Sequence, residues 1–204
     1  MSVTILTIDH LKRAVPACAA PEGWLDPLNQ TMMLYGISDD VNITVEFLAQ
    51  AAHESVSFNR LEENLSYSAE RLTNVWPARF PTLESAAQYA RQPILLAEHV
   101  YGGRMGNGPE GSGDGWRFRG GGIFMTTGRD NYRNAGYERN PDALRTERKA
   151  AANAAGLYWH IRPRLSVYAL AGDTEAITRV INGGVTGLAE RLALRDRWRA
   201  ALAA

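Results

Sequence analysis

The chain is expected to fold as a mainly α protein with a small extended component, on three observations. Apolar residues recur at helical spacing through ten segments, cap-forming residues and prolines punctuate those segments, and ten of the nineteen glycines crowd into the twenty-two residues from Tyr101 to Gly122. Long helices and one turn-rich stretch follow from that pattern.

The spacing predicts helices over 7–15, 25–35, 43–58, 69–75, 83–90, 93–100, 130–134, 142–159, 174–181 and 188–202. Ser68, Thr82 and Asn140-Pro141 read as starts, and Pro77, Pro81, Pro93 and Pro163 as breaks. Residues 116–125 have room for short extended segments. No internal repeat or low-complexity linker interrupts the chain.

Over 43–58 the apolar positions Phe47, Leu48, Ala51 and Ala52 mark the buried stripe, and Ser38-Asp39-Asp40 can cap its start. At about 100° per residue, Glu54 stands roughly 20° from Phe47 and roughly 60° from Ala51, at the edge of that stripe. A carboxyl there is desolvated, which disfavours its charged form and suits a general acid. Glu63, beyond a lapse in periodicity and beside Glu62 and Asn64, is expected to stay ionised, as a base must. Two acids in unlike settings are the raw material of a glycosidase, although a lone helix-edge glutamate is as readily a solvated or capping residue.

The glycine-rich stretch must turn sharply or approach another group closely. Gly106-Asn107-Gly108-Pro109-Glu110-Gly111 spells a dinucleotide fingerprint, but Pro109, Gly113 and Gly115 prevent the helix that such a motif must open. A substrate-lining loop fits better. Trp116 is then either a stacking platform for a sugar ring or a core residue.

Other chemistries fail on spacing. His53-Glu54 begins a zinc-protease motif, yet Ser57 stands where the second histidine ligand belongs. Four scattered histidines and one cysteine build no metal cluster, and no G-x-S-x-G elbow is present. At 204 residues and 45% hydrophobic content, the chain can bury one good core and is short for two full domains. With 22 basic and 22 acidic residues, no nucleic-acid footprint is expected. Arg191, Arg195, Arg197 and Arg199 crowd the last helix against Glu190 and Asp196, as a solvated amphipathic face or as a basic end suited to an anionic polymer. Cys18 cannot form an internal disulfide and reads as a small buried residue. The opening Met1-Ser2-Val3-Thr4-Ile5-Leu6-Thr7-Ile8-Asp9 lacks a basic n-region and any run long enough for a signal or membrane span, so cytoplasmic synthesis is expected.

Five motifs in order then carry a specific resemblance. His53-Glu54-Ser55, Glu63-Asn64-Leu65-Ser66-Tyr67-Ser68-Ala69, Val100 to Gly108, Gly113 to Gly120 and Ile181-Asn182-Gly183-Gly184 resemble those of glycoside hydrolase family 19, from about Pro27 to about Leu202. The wording is nearest the phage and bacterial endolysins, with plant-type chitinases more distant. The resemblance implies an α+β lysozyme-like fold: a single catalytic domain over 1–204, with a large helical lobe and a small helical lobe, inserted at 66–104, flanking a glycan-binding cleft.

It further implies a peptidoglycan-degrading, bacteriolytic hydrolase that cuts β-1,4 aminosugar linkages by acid–base catalysis with inversion. Glu54 matches the general acid, Glu63 the carboxylate that activates water, and Thr127 a hydroxyl that helps hold that water. His53, Tyr67, Trp116, Met125, Asn131, Asn182 and Arg191 are the expected substrate-binding residues. Asn131 and Asn182 equally suit turns and caps, and Arg191 a surface ion pair. Where the family reads Gly-Arg-Gly and then Leu-Ile-Gln-Leu-Thr, this chain has Gly120-Gly121-Gly122 and Ile123-Phe124-Met125-Thr126-Thr127, so an arginine gives way to Gly121 and a glutamine to Met125. The expected partner is the peptidoglycan glycan strand, with no nucleic acid, membrane span, metal or cofactor. A monomer is expected, released to the wall by a holin-type or other route. A chitinase and a catalytically weak wall-binding module are the alternatives.

Overall fold

The computed structural model describes residues 3–204; Met1 and Ser2, part of the N-terminal stretch read above, lie outside it. The chain divides into two compact units, the first made of Met1–Leu61, Gly122–Met125 and Ala143–Ala204, the second of Glu62–Gly121 and Thr126–Asp142. The segment 66–104 lies wholly within the second unit, which extends beyond it on both sides.

The first unit opens with α1 (Ile8–Ala14), where Thr7 and His10 form a reciprocal capping box, and α2 (Glu22–Leu34). A single 3-10 turn, Ile37–Asp39, leads into α3 (Val41–Glu54), whose Asp40 side chain accepts from the amides of Asn42 and Ile43. The second unit holds α4 (Ala69–Val75), capped by Ser68, α5 (Leu83–Ala87), boxed by Thr82 and Ser85, α6 (Pro93–Tyr101), α7 (Asp114–Arg117) and α8 (Arg129–Asn134). The chain then returns to the first unit with α9 (Ala143–Thr146), α10 (Arg148–His160), α11 (Arg164–Leu170), α12 (Thr174–Asn182) and α13 (Leu188–Leu202). Helix dominates, as expected, and strand pairing among the described residues is confined to the bridges Glu62–Gly121 and Gly121–Thr126.

α3 is the axle of the first unit. Val45, Phe47, Leu48, Ala49, Ala51 and Ala52 are fully buried or nearly so, and α13, α11 and the 3-10 turn pack around them. Phe47 meets Trp159 and Phe124 edge to face, at centroid distances of 5.6 and 6.0 Å. Small residues on α10 let it lie against α2: Ala151, Ala152 and Ala155 are buried, and a Cβ at Gly156 would strike Thr31 and Tyr35. A separate cluster of Leu65, Leu72, Phe80, Leu96, Ala97 and Val100 forms the core of the second unit.

Two predicted helices differ from the structure for clear reasons. The segment 142–159 is two helices, because the chain breaks at Glu147, whose backbone is extended. The helix predicted over 43–58 stops at Glu54, and Val56, Ser57 and Phe58 follow with φ of 51°, 61° and 63°. Three successive left-handed residues, one β-branched, are costly and persist only when the surroundings over-determine them. Here they are fixed from several directions. The Ser55 hydroxyl donates to Ala51 O at 2.6 Å and accepts from Phe58 N at 3.0 Å, while the amides of Ser57 and Arg60 reach back to Ala52 O and Ser55 O. The Trp24 indole N–H donates to Phe58 O at 3.1 Å, tying the turn to α2. Apolar periodicity cannot see such a turn, because its determinants are one hydroxyl and one indole.

Candidate active site

Glu54 and Glu63 belong to different units, and each has its own surroundings. In the first unit, Glu46, Gln50 and Glu54 recur every fourth residue along α3, a polar row on an otherwise apolar helix. Arg191 from α13 is 1% exposed and meets that row, donating from one guanidinium nitrogen to Gln50 Oε1 and from another to Glu54 Oε1. Gln50 in turn donates to Thr178 Oγ1 at 3.4 Å, and Thr178 donates to Thr174 O at 2.7 Å. Thr174 closes the row by donating to Glu46 Oε1 at 2.6 Å, where burial pushes the carboxyl above its usual range. Arg191, which equally suited a surface ion pair, is a buried cation that fixes Glu54, so this carboxyl meets a counter-charge and not the uncompensated desolvation expected of it.

His53, the preceding residue, places Nδ1 3.2 Å from Glu190 Oε2. Burial first, and then the Arg191 charge, hold its imidazole below the ordinary histidine range. The loop before α13 is shaped to this ring: Gly187 has φ 74°, and a Cβ there would collide with the imidazole. α3 and α13 thus meet through two adjacent pairings, His53 with Glu190 and Glu54 with Arg191. Asn182 is the last residue of α12, followed by Gly183 in the left-handed C-cap position. Met125 ends the short excursion Gly122–Met125, half-buried, with φ 47° and its amide directed at Gly122 O.

In the second unit, Glu63 is held from both oxygens. The Tyr101 hydroxyl donates to Oε2 at 2.6 Å and the Gly120 amide donates to Oε1. The amide of Glu63 itself donates to Gly120 O at 3.1 Å, so backbone and side chain grip the same residue. Polar surroundings were expected for Glu63, and polar groups do meet it; it is also half-buried, and that desolvation pushes its carboxyl above the usual range despite the opposing Tyr101 hydroxyl, the Gly120 amide and the nearby Arg119 charge. Arg119 pairs with Glu62 at 2.6 Å and lies 3.8 Å over the Trp116 ring, while Trp116 also packs against the second core. One face of that indole is therefore covered by a cation. Tyr67 meets Trp76 edge to face at 5.5 Å, on the margin of the same core. Asn131 donates to Thr127 O at 2.7 Å and so fastens the start of α8 to the segment that bears Thr127.

The glycine-rich loop is shaped by side-chain carboxyls. Glu98, 7% exposed on α6, accepts from the amides of Gly111 at 3.2 Å, Gly113 at 3.0 Å and Trp116 at 2.7 Å. Asp114 accepts from Gly108 N at 2.7 Å and takes a two-toothed grip from Arg129, which itself reaches Glu138 at 3.1 Å. α7 can lie against α6 only because residue 115 is glycine, since a Cβ there would overlap Ala97 O and the Glu98 backbone. Charge-assisted bonds of this kind contribute roughly 1.5–3 kcal/mol apiece. Glu98→Gln keeps the shape but turns one acceptor into a donor facing donors, and is expected to cost about 1.5–3 kcal/mol of unfolding free energy in a denaturant titration.

Tyr101, Gln50 and Arg119 were not among the expected site residues. Gln50 carried a legible signal, four residues before Glu54 on the same face. Tyr101 and Arg119 stand 38 and 56 positions from Glu63 in sequence, and no local pattern brings them to it.

No family model matches the chain. A glycosyl hydrolase family 19 domain-containing protein of Haemophilus influenzae is 40% identical over 154 residues, covering 72% of this chain and 74% of that protein. Chitinase C from Streptomyces griseus superposes with a TM-score of 0.63 at 14% identity, over 100% of this chain and 78% of its own. A mutant of chitinase C gives 0.64 at 14% identity, over 98% and 77%. The fold is that of these chitinases, and the protein is a glycosidase. The chain belongs to glycosyl hydrolase family 19.

Proposed function

We propose that the protein hydrolyses the β-1,4-linked aminosugar backbone of peptidoglycan, with Glu54 as general acid and Glu63 as the base that activates water, inverting the anomeric carbon. The observation that supports it most is the unlike setting of the two acids. Glu54 is joined to a buried cation, while Glu63 is half-buried and hydrogen-bonded at both oxygens. When Glu54 gives its proton to the glycosidic oxygen, the carboxylate that forms is met by Arg191, already in place and needing no reorganisation. A base gains strength as its pKa rises toward the working pH, so the partly desolvated setting of Glu63 suits proton abstraction from water. Thr127, fastened through Asn131, is the hydroxyl we assign to holding that water. The enzyme would act as a monomer on the wall after release from the cytoplasm.

Chitin is the second reading, favoured by the chitinases among the structural relatives. Turbidity loss of outer-membrane-permeabilised bacteria, run beside sugar release from colloidal chitin, separates the two. Release from chitin without lysis would overturn the peptidoglycan assignment, and binding without hydrolysis of either would leave a wall-binding module. The anomer formed first, read by NMR, tests inversion.

The Tyr101 hydroxyl favours the charged form of Glu63 by donating to it. Tyr101→Phe removes that donor, so the Glu63 pKa rises further and less base is ionised at a given pH. The acid limb of the kcat/KM profile should therefore move to higher pH, with the alkaline limb unmoved. An unshifted acid limb would mean that Glu63 does not govern it.

Met125→Gln tests the departure at that position. A thioether accepts hydrogen bonds weakly and donates none, whereas an amide adds one or two to bound glycan at about 0.5–1.5 kcal/mol each. Met125 already carries the left-handed backbone, so the exchange adds little backbone cost. Initial lysis rate at limiting wall concentration should rise several-fold; an unchanged or lower rate would make Met125 a packing residue.

A further inference from the structure

Beside the Glu54–Arg191 pairing, the first unit contains a cavity of about 450 Å³ lined by Ala52, His53, Val56, Ser57, Glu190 and Arg197, with Ala193 and Leu194 completing it. Its wall is unusual in composition for a surface that would meet an uncharged sugar chain. Val56 and Ala193 supply the exposed apolar surface, Ala52 and Leu194 being buried, while His53 and Glu190 form a polar pair 3.2 Å apart and Arg197 is an exposed cation. Its rim includes the left-handed turn, where Val56 is 51% exposed.

A short acidic peptide matches these groups: carboxylates suit the exposed Arg197, an N–H donor suits Glu190, and alanine methyls suit the exposed Val56 and Ala193. Peptidoglycan carries such a peptide on alternate sugars, through a lactyl ether, and chitin does not. Resting on the peptidoglycan reading above, we infer that this cavity binds the acidic peptide stem of the wall polymer and selects peptide-bearing strands over bare ones. The pairing His53–Glu190 shares its helices with Glu54–Arg191, one residue along on each, which sets a stem on one sugar beside the acid that serves the neighbouring linkage.

Two measurements decide it. In the first, a free stem peptide containing alanine and D-glutamate is titrated into the protein, and the Val56, Ala193 and Leu194 methyl signals are followed by NMR. Saturable shifts that Arg197→Glu weakens by roughly tenfold support the inference. No shifts, or shifts that the variant leaves untouched, overturn it. In the second, kcat/KM is compared on peptide-bearing strands and on strands stripped by an amidase. The protein should prefer the former several-fold through KM, Arg197→Glu should bring the two to parity, and Arg13→Glu, an equal charge change on the exposed face of α1, should keep the preference. Equal kcat/KM on both polymers, or loss of preference in both variants, overturns the inference. Hydrolysis of neither polymer would instead overturn the peptidoglycan reading, while the titration still judges the cavity on its own.

Discussion

Glu54→Gln and Glu63→Gln are each expected to lower hydrolysis by about 10²- to 10⁴-fold while leaving the fold intact, the range that a positioned acid or base contributes. The two substitutions should differ in their structural side effects. At position 54 the amide loses its charge attraction to Arg191 but keeps an oxygen to accept from it, so a modest loss of stability is expected. At position 63 the amide keeps one oxygen to accept from Tyr101 or Gly120, but its nitrogen faces the other donor. Glu63→Gln should therefore lose some stability, as at Glu98, and be nearly inactive. Initial rates on purified wall, with unfolding curves on the same preparations, make the test. Near-parental rates from either folded variant would remove that residue from the acid–base pair.

Arg191→Met is expected to be the most destabilising single exchange in the first unit. Removing one partner of a buried pair costs about 3–5 kcal/mol because the other is left without its counter-charge. Here the loss would fall on Glu54 and on Gln50 together, since Arg191 serves both. The double variant Arg191→Met with Gln50→Leu, by removing the second stranded group, should recover part of the stability and none of the activity. Denaturant midpoints for the single and double variants measure the coupling. If Arg191→Met alone unfolds with the parental midpoint, the pair contributes nothing to the native state and serves catalysis alone.

What was legible in the sequence were the features written in short range. The helices 69–75 and 188–202 begin and end where spacing placed them, because the Ser68 cap and the left-handed Gly187 act locally. Glu54 was visible as a residue at the margin of a buried stripe, and the family followed from motif order. The partners of Glu63 were hidden for the opposite reason. Its neighbours in sequence are polar, but its neighbours in space are Tyr101 and Gly120, brought in by helix α6 and the glycine loop. The early end of α3 was equally hidden, since the Ser55 hydroxyl and the Trp24 indole that hold the left-handed turn leave no periodic trace. The short α7 escaped because four residues with a glycine among them carry no amphipathic signal.

Glu98 has a consequence for how this loop can vary. One side chain collects the amides of residues 111, 113 and 116, and the spacing between those amides is set by the chain length between them. Inserting or deleting a single residue there would leave the carboxyl facing the wrong amides, whereas surface loops ordinarily tolerate length changes well. In a random-insertion library, Gly111 to Trp116 should behave like the interior of a helix. The same three amides should also exchange with deuterium together, as one opening event, in a region whose glycine content would otherwise predict independent and rapid exchange.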